Sequence, residues 1–215
     1  MMQTTSTGIA NRGHGAAGRP DQTGPARSEE VLQFWFGSPG EAGYEAHRDA
    51  WFGGGETFDD EIRRRFSTLH RTASAGEMAS WRDAPRSCLA LILVLDQFPR
   101  NMFRGSARAF AADPMARAHA CFAVAHGFDK EMPPVHRTFF YLPFEHSENL
   151  DDQRRAVELY GSCERHSGCE HSLNYALRHL KVIARFGRFP HRYQVLGRRS
   201  TPGEIAFLAG TERGF

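Results

Sequence analysis

Eight successive apolar residues, Cys88 to Leu95, leave this chain no polar side to turn toward water. The run falls well short of the roughly 20 residues that span a bilayer, and it ends at Asp96. Wound as a helix it is apolar almost all round, the mark of a buried central helix that other elements must wrap. The chain offers wrapping partners on both sides. Ile62, Phe66 and Leu69 are spaced by four and three and share one helical face, as do Leu173, Ala176, Leu177, Leu180 and Ile183. Seventeen Phe and three Trp residues supply rings that each bury on the order of 150–250 Å².

Helix boundaries are written in the usual punctuation. Ser28 is placed to cap a first helix, with Glu29 and Glu30 in its first turn, where carboxylates suit the helix dipole. Gly37 closes it. Ser87 precedes the apolar helix, and Pro99 is expected to end it. Asp113-Pro114 starts another helix that Gly127 closes. A segment from Pro133 breaks at Pro143, Asn149 or Ser147 caps the next, and Thr201-Pro202-Gly203-Glu204 is a capping box. No period-2 strand is convincing. The expectation is an all-α fold of about eight helices, stacked as antiparallel pairs in one domain over residues 28–215. Residues 1–27, rich in Gly, Thr, Ser, Pro and Ala, read as a disordered tail.

Charge is balanced over the whole chain, with 27 Lys+Arg against 25 Asp+Glu, but not locally. Between Glu170 and Glu204 lie Arg178, Lys181, Arg185, Arg188, Arg192, Arg198 and Arg199 and no acidic residue. Such a stretch requires carboxylates from elsewhere in the fold or an anionic ligand. Near-neutral overall charge and the lack of a recognisable motif argue against nucleic acid as the partner. No membrane partner is expected, and oligomeric state is left open. Four cysteines are too few for a disulfide scaffold of this size. Cys88 and Cys121 read as small core residues, and the chain reads as cytoplasmic with reduced thiols.

Three polar strings carry the candidate chemistry. In Leu95-Asp96-Gln97-Phe98-Pro99-Arg100-Asn101, a carboxylate sits at the C-terminal end of the most apolar helix. The dipole and burial both oppose it unless a cation meets it. In Tyr141-Leu142-Pro143-Phe144-Glu145-His146-Ser147-Glu148, a histidine stands beside carboxylates and suits general acid or base work. In Arg185-Phe186-Gly187-Arg188-Phe189-Pro190-His191-Arg192, guanidinium groups alternate with rings, a pattern suited to holding carboxylate or phosphate. Leu196-Gly197-Arg198-Arg199-Ser200-Thr201-Pro202 adds an anion-binding corner. Cys163, His166, Cys169 and His171 cluster without a standard zinc spacing, so no metal and no cofactor are expected.

The ordered runs LDQFPRN, YLPFEHSE, RFGRFPHR and LGRRST, with VLQFWFG before them, resemble the bacterial family catalogued as domain of unknown function 924. The resemblance spans roughly Glu29 to Ala209. It implies a helical fold similar to tetratricopeptide-repeat proteins, a compact α-α superhelix, and no established activity. Tyr193 stands where the family pattern expects Asn, and Phe144-Glu145 where a smaller or apolar pair is usual.

Two functions follow from these strings. In the first, an Arg/His-lined pocket binds an anionic small molecule or a peptide carboxylate through Gln97, Arg100, Asn101, Arg185, Arg188, His191 and Arg192. In the second, His146 with Glu148 or Asp96 catalyses a metal-independent acid–base reaction of a hydrolase-like kind.

Overall fold

The structure, a computed structural model, describes residues 24–44, 46–163 and 167–210. Among them the fold is all helical. Ten α-helices run in order: α1 Pro25–Phe36, α2 Ala50–Gly53, α3 Glu56–Ser74, α4 Pro85–Met102, α5 Asp113–Ala125, α6 Pro134–Glu145, α7 Leu150–Ser162, α8 Ser167–Phe186, α9 Tyr193–Leu196 and α10 Pro202–Ala209. The count exceeds the expected eight because α2 and α9 are single turns. None of the helices is long and apolar enough to cross a membrane.

The apolar run occupies α4, and every residue from Cys88 to Phe98 is buried, Asp96 and Gln97 included. Helix α4 packs against α1, α3, α5 and α6, so each face of the run meets a partner. Burying one such Leu or Ile side chain contributes about 1.5–3 kcal/mol, which explains why the surrounding helices collect on this one. Polar contacts fix the directions. Asp59, at the start of α3, meets Asn101 at the end of α4, and His70, nearer the end of α3, meets the Val94 carbonyl. The two helices are therefore antiparallel. Helices α6 and α7 are antiparallel by the same reasoning, since Gln153 reaches the Glu145 carbonyl while Tyr160 reaches that of Thr138. Trp35, Trp51, Phe98 and Phe139 form a packed aromatic group beside α4, with Trp51 and Phe139 centroids 4.9 Å apart.

Several boundaries differ from the sequence expectation. Helix α1 begins at Pro25, not Ser28, because proline at the first turn presets the helical φ. Ser28 is buried inside the helix, so the ordered domain reaches into the segment assigned to the tail, whose first 23 residues lie outside those described. Helix α4 likewise starts at Pro85, ahead of Ser87, and α5 starts on Asp113 without a side-chain cap. The prolines at 99 and 143 end nothing. Both lie inside their helices, which continue three and two residues further. An internal proline costs about 3 kcal/mol, and burial of the following turns outweighs it. Those turns carry Arg100, Asn101 and Glu145, so the error in the sequence reading falls on the polar strings themselves. The caps at Asn149 and in the Thr201–Glu204 capping box form as expected. Cys88 is buried but Cys121 is exposed, and Cys163 is disulfide-bonded, against the reading of reduced thiols.

Candidate functional site

Helices α4 and α6 end side by side, which brings Asp96 to His146 from 50 residues away. His146 Nδ1 lies 2.8 Å and 3.1 Å from the two Asp96 oxygens, so this nitrogen carries the proton and donates it. The carboxylate also accepts from the Gln97 amide, and Arg100 Nη1 stands 3.2 Å from Oδ1. Burial opposes a charge on Asp96, but the Arg100 guanidinium and the His146 donor override it and hold its pKa below the usual range. Burial, with the positive charge of Arg100, pushes the His146 pKa down against the pull of Asp96. The pair at neutral pH is an ionised Asp96 and a neutral His146. His146 makes no hydrogen bond within the described chain through Nε2, which is left as a lone-pair acceptor.

Beyond His146 opens a cleft of about 580 Å³ at the junction of α2, α6 and α8. Its polar wall consists of Glu145 at the end of α6, His146 just past it, and His171, Ser172, Tyr175 and His179 from α8, with His47 and Asp49 at the rim. Ser172, Tyr175 and His179 follow at three and four residues, so α8 presents them on one face. An adjoining hollow of about 490 Å³ shares His47, Phe52, Leu142, His171 and Ser172 with it, making one continuous cleft. The walls of that second arm are Trp51, Val135, Thr138, Phe139 and Tyr160. The cleft is thus polar at one end and aromatic at the other.

Glu145 is the unusual group in the polar wall. Its side chain is 4 % exposed, its Oε1 lies 3.0 Å from His179 Nδ1, and its Oε2 has no hydrogen-bond partner in the chain. Burial raises its pKa to about 8, opposed by the Tyr160 hydroxyl and reinforced by the negative charge of Asp96. His179 moves the other way. Burial takes its pKa to about 3, although its Nδ1 proton also meets the Tyr175 carbonyl at 3.0 Å. At neutral pH this wall therefore holds a protonated carboxyl beside two neutral imidazoles. A base and an acid whose surroundings drive their pKa values apart form a working pair for proton transfer.

The arginine-rich segment is placed elsewhere. Arg188 pairs with Glu204 at 3.0 Å and 3.2 Å, and Arg198 pairs with Glu148 at 2.8 Å. Glu148 also accepts the Phe189 amide at 2.9 Å, so it serves this network and is not the partner of His146. Arg100 forks onto Asp113 at 3.0 Å and 3.1 Å, and Arg192 reaches the same carboxylate at 3.7 Å while lying between the rings of Phe110 and Phe189. Asn101 turns to Asp59 at 2.8 Å. Arg185 is exposed over the Phe186 ring, and His191 is exposed beside Phe189. Of the ten residues expected to converge, Asp96, Gln97, Arg100 and His146 do, and Arg192 joins them through Asp113. None of the arginines lines either arm of the cleft.

Sequence reasoning left Glu145 out of the site and counted His179 only as part of the basic stretch. The three-and-four spacing of Ser172, Tyr175 and His179 was the available signal for the α8 wall. Of the Cys163–His171 cluster, His166 lies outside the described residues. Among those described, no group of three or more His, Cys, Asp or Glu side chains is arranged to hold a metal ion.

The comparisons with known proteins agree with this fold. No curated protein matches the chain. A solved structure of a protein of unknown function from Agrobacterium tumefaciens is similar at 38 % identity, with a TM-score of 0.76, over 85 % of this chain and 97 % of that one. The model of the family described as bacterial protein of unknown function (DUF924) matches residues 31–212. With the match covering nearly all of the helical domain, the chain belongs to the DUF924 family.

Proposed function

We propose that the protein is a metal-independent acid–base enzyme of hydrolytic type, with His146 as base and Glu145 as acid. One observation carries the reading: His146 is locked through Nδ1 by an ionised, buried Asp96 and faces a large cleft with Nε2 unengaged. A histidine oriented in this way is held in the tautomer a general base needs. His146 Nε2 takes a proton from a water molecule as the water oxygen bonds to a substrate carbonyl carbon. The carbonyl electron pair moves onto its oxygen, which receives a hydrogen bond from the Glu145 carboxyl. Rotation about the broad last torsion of Glu145 presents either oxygen to the cleft. Collapse re-forms the carbonyl and breaks the bond to the leaving group, which takes the proton back from His146. Water and an acyl compound become an acid and an alcohol or amine.

The test is turnover of chromogenic acyl esters. His146→Gln lowers kcat by about 10²–10⁴-fold, while Arg185→Ala leaves it unchanged. The rate falls in acid as His146 gains its proton and falls again as pH rises past about 8, where Glu145 loses its own. Absence of turnover in the wild-type protein, or equal rates in His146→Gln, would overturn the proposal.

The anionic-ligand reading retains one observation in its favour. Arg192 is buried with Nε lacking a partner, and burial, with the charge of Arg100 beside it, lowers its pKa to about 10. An anion reaching this pair would relieve both effects. It is the weaker reading, because no arginine among the described residues faces the cleft.

A further inference from the structure

The cleft has a charge character that its residues specify closely. Among the described residues that line the two arms, the carboxylic acids are Asp49 and Glu145, the imidazoles are His47, His146, His171 and His179, and neither Lys nor Arg is present. Asp49 is fully exposed at the rim, where water screens it. An anionic ligand would enter with no described Lys or Arg to meet it and with the Asp96 carboxylate behind His146, so its charge would be disfavoured. The inner polar wall instead holds the Glu145 carboxyl, whose Oε2 is buried and unmatched and reaches the cleft by rotation of that group, and one imidazole acceptor, His146 Nε2. Together they suit a head group that is uncharged and offers both an acceptor, for the Glu145 carboxyl, and a donor, for His146 Nε2.

The second arm fixes the rest of the ligand. Trp51 and Phe139 meet edge to face at 4.9 Å, and the Phe52 ring lies parallel to that of Phe139 with centroids 6.5 Å apart. Phe52 is 58 % exposed, a large ring kept in water at the mouth of an apolar hollow. An exposed aromatic lip over a concave apolar wall is the arrangement by which pockets take up apolar groups.

Building on the acid–base reading, we infer that the cleft takes an uncharged carboxylic ester or amide whose acyl chain ends in an aromatic or bulky aliphatic group. The carbonyl lies at Glu145 and His146, and the terminal group lies among Trp51, Phe52 and Phe139. Glu145 donates to the carbonyl oxygen, and His146 accepts from an amide N–H or from the attacking water. The free acid produced carries a negative charge at neutral pH and leaves a wall with no Lys or Arg among the described residues to retain it.

Calorimetric titration of the full chain at pH 7 separates the possibilities with four probes: 4-phenylbutanamide, 4-phenylbutanoate, 4-phenylbutylamine and butanamide. The expected result is that 4-phenylbutanamide binds at least about tenfold more tightly than each of the other three. Phe52→Ser, a change at an exposed position, should weaken its binding about threefold to tenfold and leave butanamide unaffected. Equal or tighter binding of the carboxylate or the amine overturns the inference, as does indifference to the phenyl group or no binding at all. A parallel assay with the 4-nitrophenyl ester of 4-phenylbutanoic acid keeps the two proposals apart. Selective amide binding without ester turnover sinks the acid–base reading and leaves the ligand class standing. Turnover without preference for the uncharged, phenyl-bearing probe does the reverse.

Discussion

The C-terminal arginine network and the wall of the cleft are both polar clusters, yet they solve the problem of buried polarity in opposite ways. In the network, charge meets charge: Arg188 with Glu204, Arg198 with Glu148, and Arg100 and Arg192 with Asp113. In the wall, Glu145 pairs with no Lys or Arg among the described residues, and burial drives it, His146 and His179 toward their neutral forms. The first arrangement holds helices in register. The second leaves a carboxyl donor and imidazole acceptors uncharged at pH 7, the state that the proposed acid–base chemistry uses. The density of charge in the sequence thus marks the scaffold, and the sparse titratable groups mark the chemistry.

Asp96 belongs to both regions, since it pairs with Arg100 and orients His146, and its removal gives the largest effect. Asp96→Ala leaves a buried guanidinium short of one partner and should cost about 3–5 kcal/mol in urea unfolding. Arg198→Ala, at a partly exposed pair, should cost about 1 kcal/mol or less. Equal costs at the two positions would erase the distinction between the regions.

A mid-sized effect comes from pH. Glu145 titrates at about 8 when folded against an ordinary 4.5, so between those values the folded state holds a proton that the unfolded state lacks. Its contribution is complete below about 4.5 and is lost as pH rises through 8. His179 titrates at about 3 against 6.5, so its contribution is complete above 6.5 and is lost as pH falls toward 3. The two slopes oppose each other between 4.5 and 6.5. Above 6.5 only that of Glu145 remains, at up to about 1.4 kcal/mol per pH unit. His136 and His191, both pushed down to about 4 by burial, act in the same sense as His179, so urea midpoints should rise from pH 5 to 6.5 and should drop by pH 8. In Glu145→Gln the drop should vanish and the rise from pH 5 to 6.5 should steepen. An unchanged profile in that variant would show that Glu145 is ionised throughout and that the cleft resembles the network after all.

The smallest effect tests the edge of the network. Arg185, exposed over the Phe186 ring, carries no carboxylate partner among the described residues. Arg185→Ala should shift stability by no more than about 0.5 kcal/mol in the same urea titration. A larger loss would extend the structural network to the solvent face of α8.

Much of the helical fold was legible, and the reasons are local. The run from Cys88 to Leu95 demands burial whatever surrounds it, and the Thr201–Glu204 box caps a helix through its own side chains. Gly37 and Gly127 stop helices at positive φ, 86° and 74°, where other residues are strained. Asp96 and His146 were both picked out, because a carboxylate at an apolar helix end and a histidine among acids are anomalies within their own segments. Pro99 and Pro143 were misread because local geometry opposes a helix there. Only packing from neighbouring helices, which the local pattern does not contain, carries each helix onward.

What the sequence determined by itself was therefore the helical class, the buried identity of α4, and the residues whose polarity was out of place. What the tertiary structure alone decided was the pairing: Glu148 to Arg198 and not to His146, Asn101 to Asp59, and Glu145 to His179 across a cleft free of arginine. The physical reason is the range of the forces. Caps, turns and apolar periodicity act within one or two helical turns. The partner of a buried charge is chosen among groups tens of residues apart, by whichever helix ends the packing brings together.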